Sequence, residues 1–595
     1  MRSLLLMMLM AGPALAQDVP IGIMEVMRRA LPQSAPDHEL RQGLELRSLD
    51  VSVELHGDAA ETRVEHDFYN DSDERLEGTF RFPVPIGAEI TALSMEIDGH
   101  MVDGELLERK KAERIYEEIV DEMRDPALLT WEAGSLFKLR VFPIEPNSHK
   151  RVVIRYLTTV ENARYVFTAT PSQPVAHFHF TVDGKTLFDE GPLQPRIIAV
   201  EAPHASHRAL REVVDGKTYV RLELPVNGAA QPRARAPFRW VIVVDVSRSA
   251  LEARPLALDA VRAALSALPD SDQFMILACD IECRETAFSP VRESDAALRF
   301  LDAIEFDGAT DLTAALKLAA MRAGEKGGQV LYIGDGNATW GVTDPAEIST
   351  ALEPLFAKLP LHAVVVGKFA RPTLLTKLAN RGGGLVATPA RRLDLAAFQK
   401  ELGGFGRVAR VRAITLSANG AVLSPSQPAS IDAGGKLKVF LSGEKMPASV
   451  HLHAFLNDQE IDRDLPIGDA LPTQDVARRF AGARIRELEV EGGHDEEVHA
   501  LSLKHRVLSS KTAWLVLEND EAYRRHQIER KQQKDQQDRK DQKDKSADPE
   551  VSGKDLESNG DTAGDHIGGE GPEPELWLVA GLMLIAFYFR KRVAH

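Results

Sequence analysis

Cysteine is almost absent from this chain, which has two cysteines among 595 residues. A secreted fold held together by many disulfides is therefore excluded. Cys279 and Cys283 stand within ILACDIECRETAF, a pattern that predicts a strand, a turn and a second strand. In an oxidising compartment they either close a very small disulfide loop of modest stabilising effect or remain thiols. No other cysteine or histidine cluster lies near them, so we expect no metal there.

An excess of positive charge is also absent, because the formal net charge is -17 at pH 7. We therefore expect no nucleic-acid partner. The motifs G-x-S-x-G, H-E-x-x-H and G-x-x-x-x-G-K-[ST] are missing as well. The sequence thus predicts a protein that is not an enzyme. The alternative, a nucleophilic Ser247, lacks a histidine close in sequence.

The N-terminus has the three parts of a secretory signal peptide. Arg2 precedes a short apolar segment, and Ala14-Leu15-Ala16 supplies an A-x-A cleavage site. We therefore expect residues 1–16 to be removed, the mature chain to begin near Gln17 and the protein to be exported.

The C-terminal residues predict a tether. Residues 523–575 are rich in charge and glutamine and then in Gly, Asp and Glu, which is typical of a disordered linker. Residues 576–592 contain an apolar run and then Arg590-Lys591-Arg592, which predicts a single transmembrane helix with a cytoplasmic C-terminus. The run is shorter than the roughly 20 residues that usually span a bilayer.

Pro572-Glu573-Pro574-Glu575, the apolar run and the basic cluster together resemble the PEP-CTERM sorting signal of bacteria. The resemblance implies cleavage by an exosortase-type enzyme and transfer to the cell surface. A plain single-pass anchor is the alternative. In either case the protein is expected in the periplasm or at the cell surface.

The segment FRWVIVVDVSRS predicts a strand buried on both faces that ends in Asp245, with Ser247 and Ser249 following. Thr310 lies in a later Gly-rich loop, and Asp335 directly follows another apolar strand. Alternating strands and helices in this region predict a doubly wound parallel sheet, whose strands end at one edge. Oxygen ligands that converge there suit a hard divalent cation, whereas capping of a helix or turn is the alternative.

Residues 237–396 resemble a von Willebrand factor type A domain, which is Rossmann-like and carries a metal-ion-dependent adhesion site. The resemblance implies a cofactor, Mg²⁺ with Mn²⁺ or Ca²⁺ as alternatives, and leaves one coordination position for an acidic group of a partner. The implied ligands are Asp245, Ser247, Ser249, Thr310 and Asp335.

Two residues depart from the pattern of that family. Arg248 stands where glycine is usual, and Gly334 stands where threonine is common. Neither change removes a ligand. Both leave the affinity and the choice of metal open.

Residues 30–160 alternate apolar and polar positions and predict an antiparallel β-sandwich, with one helix over Glu105 to Asp121. They resemble the VIT domain, the vault protein and inter-α-trypsin inhibitor domain. The sequence segments that carry the resemblance include FYN (68–70), EGTFRFPVP (77–85), AERIY (112–116), LL (128–129) and FKLRVFPI (137–144).

The remaining segments complete a multidomain chain of α/β and all-β parts. Residues 161–236 predict a β-rich connector and hinge, and residues 397–522 a β-rich region with helices. LSLKHRVLSSKTAWLVLEND (501–520) resembles the segment that closes VIT and type A proteins, and we expect it to pack on the preceding domains.

A VIT domain followed by a type A domain is the arrangement of inter-α-trypsin inhibitor heavy chains and of many bacterial envelope proteins. The resemblance implies an envelope-anchored binding or adhesion protein that captures a protein or glycan partner through a divalent cation. The alternative is a metal-gated periplasmic assembly or maturation factor at the inner membrane.

Overall fold

The computed structural model describes residues 23–27 and 44–530, except 123, 161–162, 170–173, 203–207, 227–233, 325–326, 390–391, 457–458 and 529. The predicted signal peptide, the transmembrane segment and the linker beyond residue 530 lie outside the described residues. Within the described part, no helix is long and apolar enough to cross a membrane.

The first part of the chain is built mainly of strands, in keeping with its alternating pattern. The elements are β1 (Ile23–Met27), β2 (Leu44–His56), β3 (Ala59–Asn70), β4 (Leu76–Pro83), β5 (Glu89–Ile97), β6 (His100–Asp103), β7 (Glu105–Glu108), α1 (Arg109–Asp121), β8 (Ala127–Ala133), β9 (Leu136–Ile144), β10 (Ser148–Thr159), β11 (Arg164–Ala169), β12 (Val175–Val182), β13 (Lys185–Glu190), β14 (Arg196–Glu201), β15 (Ala209–Val214) and β16 (Lys217–Pro225).

The central part alternates strands and helices. Its elements are β17 (Arg239–Asp245), α2 (Arg254–Ala267), β18 (Gln273–Cys279), β19 (Cys283–Glu285), β20 (Ser289–Pro290), α3 (Asp295–Asp302), α4 (Leu312–Ala323), β21 (Gly328–Gly334), α5 (Pro345–Phe356), β22 (Leu361–Val365), α6 (Pro372–Gly382), β23 (Val386–Ala387) and α7 (Leu395–Gly404), with short 3₁₀ turns at Arg248–Ala250, Val291–Glu293 and Arg392–Asp394.

The last part returns to strands and ends in helices. Its elements are β24 (Arg410–Ser417), β25 (Val422–Ser424), β26 (Ile431–Asp432), β27 (Lys436–Gly443), β28 (Ser449–Leu456), β29 (Gln459–Pro466), β30 (Leu471–Pro472), α8 (Val476–Glu491), α9 (Asp495–His505), β31 (Thr512–Val516) and α10 (Asp520–Arg525).

Two sheets pack face to face at the N-terminal end. One has the order β13-β12-β2-β3-β10-β5-β6 and the other β1-β4-β9-β8-β31-β7. Alternate residues of each strand enter a shared core, in which Leu46 and Val64 of the first sheet join Phe80 and Leu139 of the second. The predicted β-sandwich is therefore present, although β12 runs parallel to β2.

The helix predicted over Glu105 to Asp121 begins later than expected. Residues 105–108 form β7, which pairs antiparallel with β31, and α1 begins at Arg109. The local pattern could not show this, because the partner strand comes from the far end of the described chain. The closing segment thus packs on the N-terminal sandwich, where β31 lies between β7 and β8.

The connector does not form a separate body. β12 and β13 extend the N-terminal sheet, whereas β15 and β16 join β25, β27 and β30 in a five-stranded sheet. These four strands of the connector are therefore shared between the sandwich and the C-terminal β-rich region, whereas β11 and β14 pair with each other in a two-stranded sheet. A smaller sheet, β26-β24-β28-β29, completes that region.

The central sheet has the order β19-β18-β17-β21-β22-β23 and is parallel from β18 to β23. Only the short edge strands β19 and β20 run antiparallel to β18. Trp240, Ile242 and Val244 face one core with α2, α3 and α7, whereas Val241 and Val243 face the other with α4, α5 and α6. The apolar run of β17 is thus buried on both faces, as predicted.

Candidate metal centre

Two carboxylates meet at the carboxyl edge of the central sheet. Asp245 is the last residue of β17, and Asp335 follows β21, the neighbouring parallel strand. Because parallel strands end at the same edge, the two side chains lie close together. Each residue is 1% exposed.

A chain of hydrogen bonds through Ser247 and Ser249 joins the two acids. The Ser247 backbone N–H donates to Asp245 Oδ1 at 3.0 Å, and the Ser247 and Ser249 hydroxyls are 3.1 Å apart. The Ser249 hydroxyl donates to Asp335 Oδ2 at 2.6 Å. The alternate spacing of the two serines therefore directs both hydroxyls toward the same place.

Thr310 brings a third hydroxyl to this edge. Its backbone N–H donates to Thr339 Oγ1 at 2.9 Å, and its carbonyl accepts from the N–H groups of Thr339 and Trp340, each at 3.0 Å. The residue is 3% exposed, and its Oγ1 is buried without a hydrogen bond of normal geometry. This hydroxyl interacts with the Asp245 carboxylate and helps to lower its pKa, and its lone pairs remain available to a ligand.

The electrostatics of the site favour a bound cation. Burial raises the pKa of Asp245. Burial, and then the negative charge of Asp245, raises the pKa of Asp335 to about 7. Among the described residues, neither carboxylate forms an ion pair with lysine or arginine. Two buried acids, two linked hydroxyls and the Thr310 hydroxyl beside Asp245 therefore fit the oxygen donor set of a divalent cation.

Tyr332 is a functional residue that the sequence did not reveal. Its hydroxyl donates to Asp245 Oδ2 and accepts from the Gly336 backbone N–H, both at 3.0 Å. A Cβ on Gly334 would come within 2.4 Å of the Asp245 Cβ and 2.5 Å of the Tyr332 hydroxyl. The tyrosine therefore occupies the space that a side chain at position 334 would need. The one available signal was a tyrosine two residues before that glycine.

Arg248 does not obstruct the site. Its backbone N–H donates to the Gly308 carbonyl at 3.0 Å, and it does not take a positive φ, so the loop needs no glycine at this position. Its guanidinium is 72% exposed and lies 3.5 Å from Asp307, which is 70% exposed. Such an exposed pair contributes little to stability.

The two cysteines form a disulfide beside the site. Cys279 and Cys283 are direct partners across β18 and β19, so their side chains lie on the same face. The intervening turn contacts the Thr310 loop, because the Asp311 N–H donates to the Asp280 carbonyl at 3.1 Å. The disulfide therefore fixes a turn that supports the candidate site.

A second group with metal-ligand chemistry lies on the β2–β3 hairpin. Glu54, His56 and Glu61 have ligand atoms within 4.8 Å of one another. Glu54 is exposed, His56 and Glu61 are partly buried, and acidic groups of this kind commonly occur without an ion. It shares no residue with the candidate site on the central sheet.

Two family models match the chain. The Vault protein inter-alpha-trypsin domain matches residues 46–156, and the von Willebrand factor type A domain matches residues 239–387. A human relative, von Willebrand factor A domain-containing protein 5A, is 24% identical over 176 residues. That match covers 25% of this chain and only 22% of the human protein. The chain therefore combines a VIT domain with a type A domain.

Solved structures show similarity at low scores. The von Willebrand factor type A protein from Catenulispora acidiphila is 16% identical, with a TM-score of 0.30 over 51% of this chain and 84% of that one. The pilus adhesin SpaC from Lactobacillus rhamnosus GG is 12% identical, with a TM-score of 0.25 over 44% and 47%. At these scores the similarities carry no functional inference.

Proposed function

We propose that this chain is a non-enzymatic binding or adhesion protein that captures a protein or glycan partner through a divalent cation. The observation that carries the proposal is the convergence of Asp245 and Asp335 on three hydroxyl-bearing side chains. Both acids are buried, and neither forms a salt bridge with a described lysine or arginine, although Arg371 attracts Asp335 electrostatically. Buried charges of this kind are normally paired or bind a metal. The residues that would hold the cation are Asp245, Ser247, Ser249, Thr310 and Asp335.

These side chains would have distinct roles. Asp245 and Asp335 would neutralise most of the charge of a divalent ion, and the three hydroxyls would add neutral oxygen ligands. A bound Mg²⁺, or Mn²⁺ or Ca²⁺ in its place, supplies a Lewis-acidic position that accepts a carboxylate oxygen of a partner. Tyr332 would orient Asp245, and the Asn337 N–H, which donates to Asp335 Oδ1 at 2.8 Å, would orient Asp335.

We also propose that the protein is exported and tethered to the cell envelope. The signal-peptide pattern of residues 1–16 and the apolar and basic residues of 576–592 support this proposal. The PEP-CTERM-like residues 572–575 support processing by an exosortase-type enzyme.

Calorimetric titration of the purified full chain with Mg²⁺ tests the metal site. We expect saturable binding to the full chain and none to Asp245→Ala. Asp307→Asn is the matched control, because it removes an exposed carboxylate at the same edge that is not among the proposed ligands. Equal Mg²⁺ binding by the full chain and by Asp245→Ala would show that these residues hold no cation.

A further inference from the structure

Three large exposed apolar side chains lie on segments next to the loop that carries Thr310. Trp340 is 55% exposed, Ile281 is 43% exposed and Leu251 is 41% exposed. Trp340 is the most exposed tryptophan in the described part of the chain. Single exposed apolar residues are normal on protein surfaces, whereas several around one polar site indicate a contact surface.

Each of the three residues lies on a segment that is hydrogen-bonded, directly or through Arg248, to the loop of residues 308–311, which carries Thr310. The backbone N–H of Trp340 donates to the Thr310 carbonyl. Ile281 follows Asp280, whose carbonyl accepts from the backbone N–H of Asp311. Leu251 donates its N–H to the Arg248 carbonyl, and Arg248 in turn donates to the Gly308 carbonyl. We call these three side chains the apolar rim.

The backbone under the apolar rim is fixed. The turn that carries Ile281 is closed by the Cys279–Cys283 disulfide. The loop after Trp340 packs closely on the metal edge, because a Cβ on Gly341 would lie 2.6 Å from Asp311 Oδ2. Apolar groups that are held in place before binding lose little conformational entropy when a partner covers them.

The charges near the apolar rim disfavour a polyanionic partner. Glu252, Glu282 and Asp307 are exposed acids on the loops that carry the apolar rim. The bases Arg248, Lys368 and Arg284 already pair with Asp307, Glu252 and Asp280. A glycan with many acidic groups would be repelled here, whereas a single carboxylate flanked by apolar groups would not.

We propose that the apolar rim binds a polypeptide segment in which one acidic residue is flanked by large apolar side chains. This inference rests on the proposed function, because the acidic residue would bind the cation while its neighbours cover Trp340, Ile281 and Leu251. Tryptophan is among the residues that most often dominate the binding energy of an interface.

A display library of short random peptides, selected on the full chain in Mg²⁺ and in EDTA, tests the inference. We expect selection in Mg²⁺ of peptides with Asp or Glu between large apolar residues. A synthetic peptide with Asp between Leu and Phe should then bind, whereas versions with Asn at the centre or Ser at both flanks should bind weakly. Trp340→Ser should weaken binding of the first peptide by about 10- to 30-fold.

Two variants distinguish failure of the apolar rim from failure of the metal site. Val213→Ser is the matched control, because Val213 is 61% exposed on β15, outside the central sheet, and its loss should change nothing. Mg²⁺-dependent binding that is unchanged by Ser at both peptide flanks and by Trp340→Ser would overturn the role of the apolar rim. It would leave the proposed metal site standing. Binding that survives EDTA and Asp245→Ala would overturn both.

Binding of galacturonic acid oligosaccharides to the full chain, measured in Mg²⁺ and in EDTA, tests a glycan partner. Mg²⁺-dependent binding to these acidic sugars, with none to the peptides, would contradict the inference in favour of a glycan partner. Absence of any Mg²⁺-dependent peptide binding would contradict it as well.

Discussion

The hairpin between β8 and β9 clamps the loop that follows β22, and Gly134 is the point of closest approach. The N–H and hydroxyl of Ser135 both donate to the Lys368 carbonyl at 3.0 Å. The Arg371 guanidinium lies over the Trp131 ring at 5.5 Å. The backbone N–H of Arg371 also donates to the Asp335 carbonyl at 2.7 Å, so the clamped loop contacts the candidate metal edge.

Gly134→Ala should open this clamp. Gly134 has a φ of +56°, and an added Cβ would lie 2.4 Å from the carbonyl carbon of Phe369. The left-handed backbone costs about 1–2 kcal/mol for an alanine. Displacement of the hairpin also removes the two Ser135 hydrogen bonds, at about 1 kcal/mol each. We therefore expect a loss of about 3–4 kcal/mol in the free energy of unfolding.

Gly184→Ala provides a matched control. Gly184 has a φ of +73° in the β12–β13 turn, and a Cβ there meets nothing within 4 Å. This variant should lose only the backbone component, about 1–2 kcal/mol. The difference of about 2 kcal/mol between the variants is the contribution of the clamp.

Urea denaturation followed by far-UV circular dichroism measures both losses, and calorimetric Mg²⁺ titration measures the effect on the metal edge. Gly134→Ala should also bind Mg²⁺ more weakly than Gly184→Ala, because Arg371 would no longer hold the Asp335 backbone. Equal losses of stability in the two variants would refute the reasoning, because the contact with Phe369 would then contribute nothing.

Two further predictions concern buried charge. Asp58 is 1% exposed and pairs with Arg221 and Arg479, each at 2.7 Å. Asp58→Ala should leave the buried Arg479 without its carboxylate partner and Arg221 with Glu223, and so lower the free energy of unfolding in urea by about 3–5 kcal/mol. An unchanged urea midpoint would contradict this. Burial lowers the pKa of His66 to about 4 and that of His362 to about 3, below the ordinary value of 6.5. Both histidines are neutral in the folded protein, so their contribution to the free energy of unfolding should be fully present above pH 6.5. It should fall as the pH drops toward 4, with a loss of about 2 kcal/mol per histidine at pH 5. His66→Phe should reduce that slope, and an unchanged slope would exclude a contribution from His66.

Patterns within one segment predicted much of the fold. The apolar run of β17 and the alternation of β3 are local signals, and both strands are buried as their patterns indicate. Pairing between distant segments left no such signal. The four residues of β7 look helical in sequence, and they become a strand because β31 supplies a hydrogen-bonding partner.

The candidate site shows the same division. Asp245 and Asp335 could be placed together from sequence, because each follows an apolar strand and parallel strands end at one edge. Tyr332 could not be found this way, since its role depends on the absence of a side chain at Gly334 and on the position of Asp245 across the sheet. The glycine at position 334 therefore goes with Tyr332, whose hydroxyl occupies the space that a threonine side chain there would need.

The contacts between the β8–β9 hairpin and the loop after β22 lie on the path from the proposed C-terminal anchor to the proposed metal site. The described chain runs from β31 through α10 to Arg530, and β31 is hydrogen-bonded between β7 and β8 of the N-terminal sandwich. Tension from a C-terminal tether would therefore enter the sandwich before it reached the type A domain. β8 leads directly into the hairpin at Gly134, and that hairpin holds the loop beside Asp335. The VIT domain would then act as the support against which a bound partner is held.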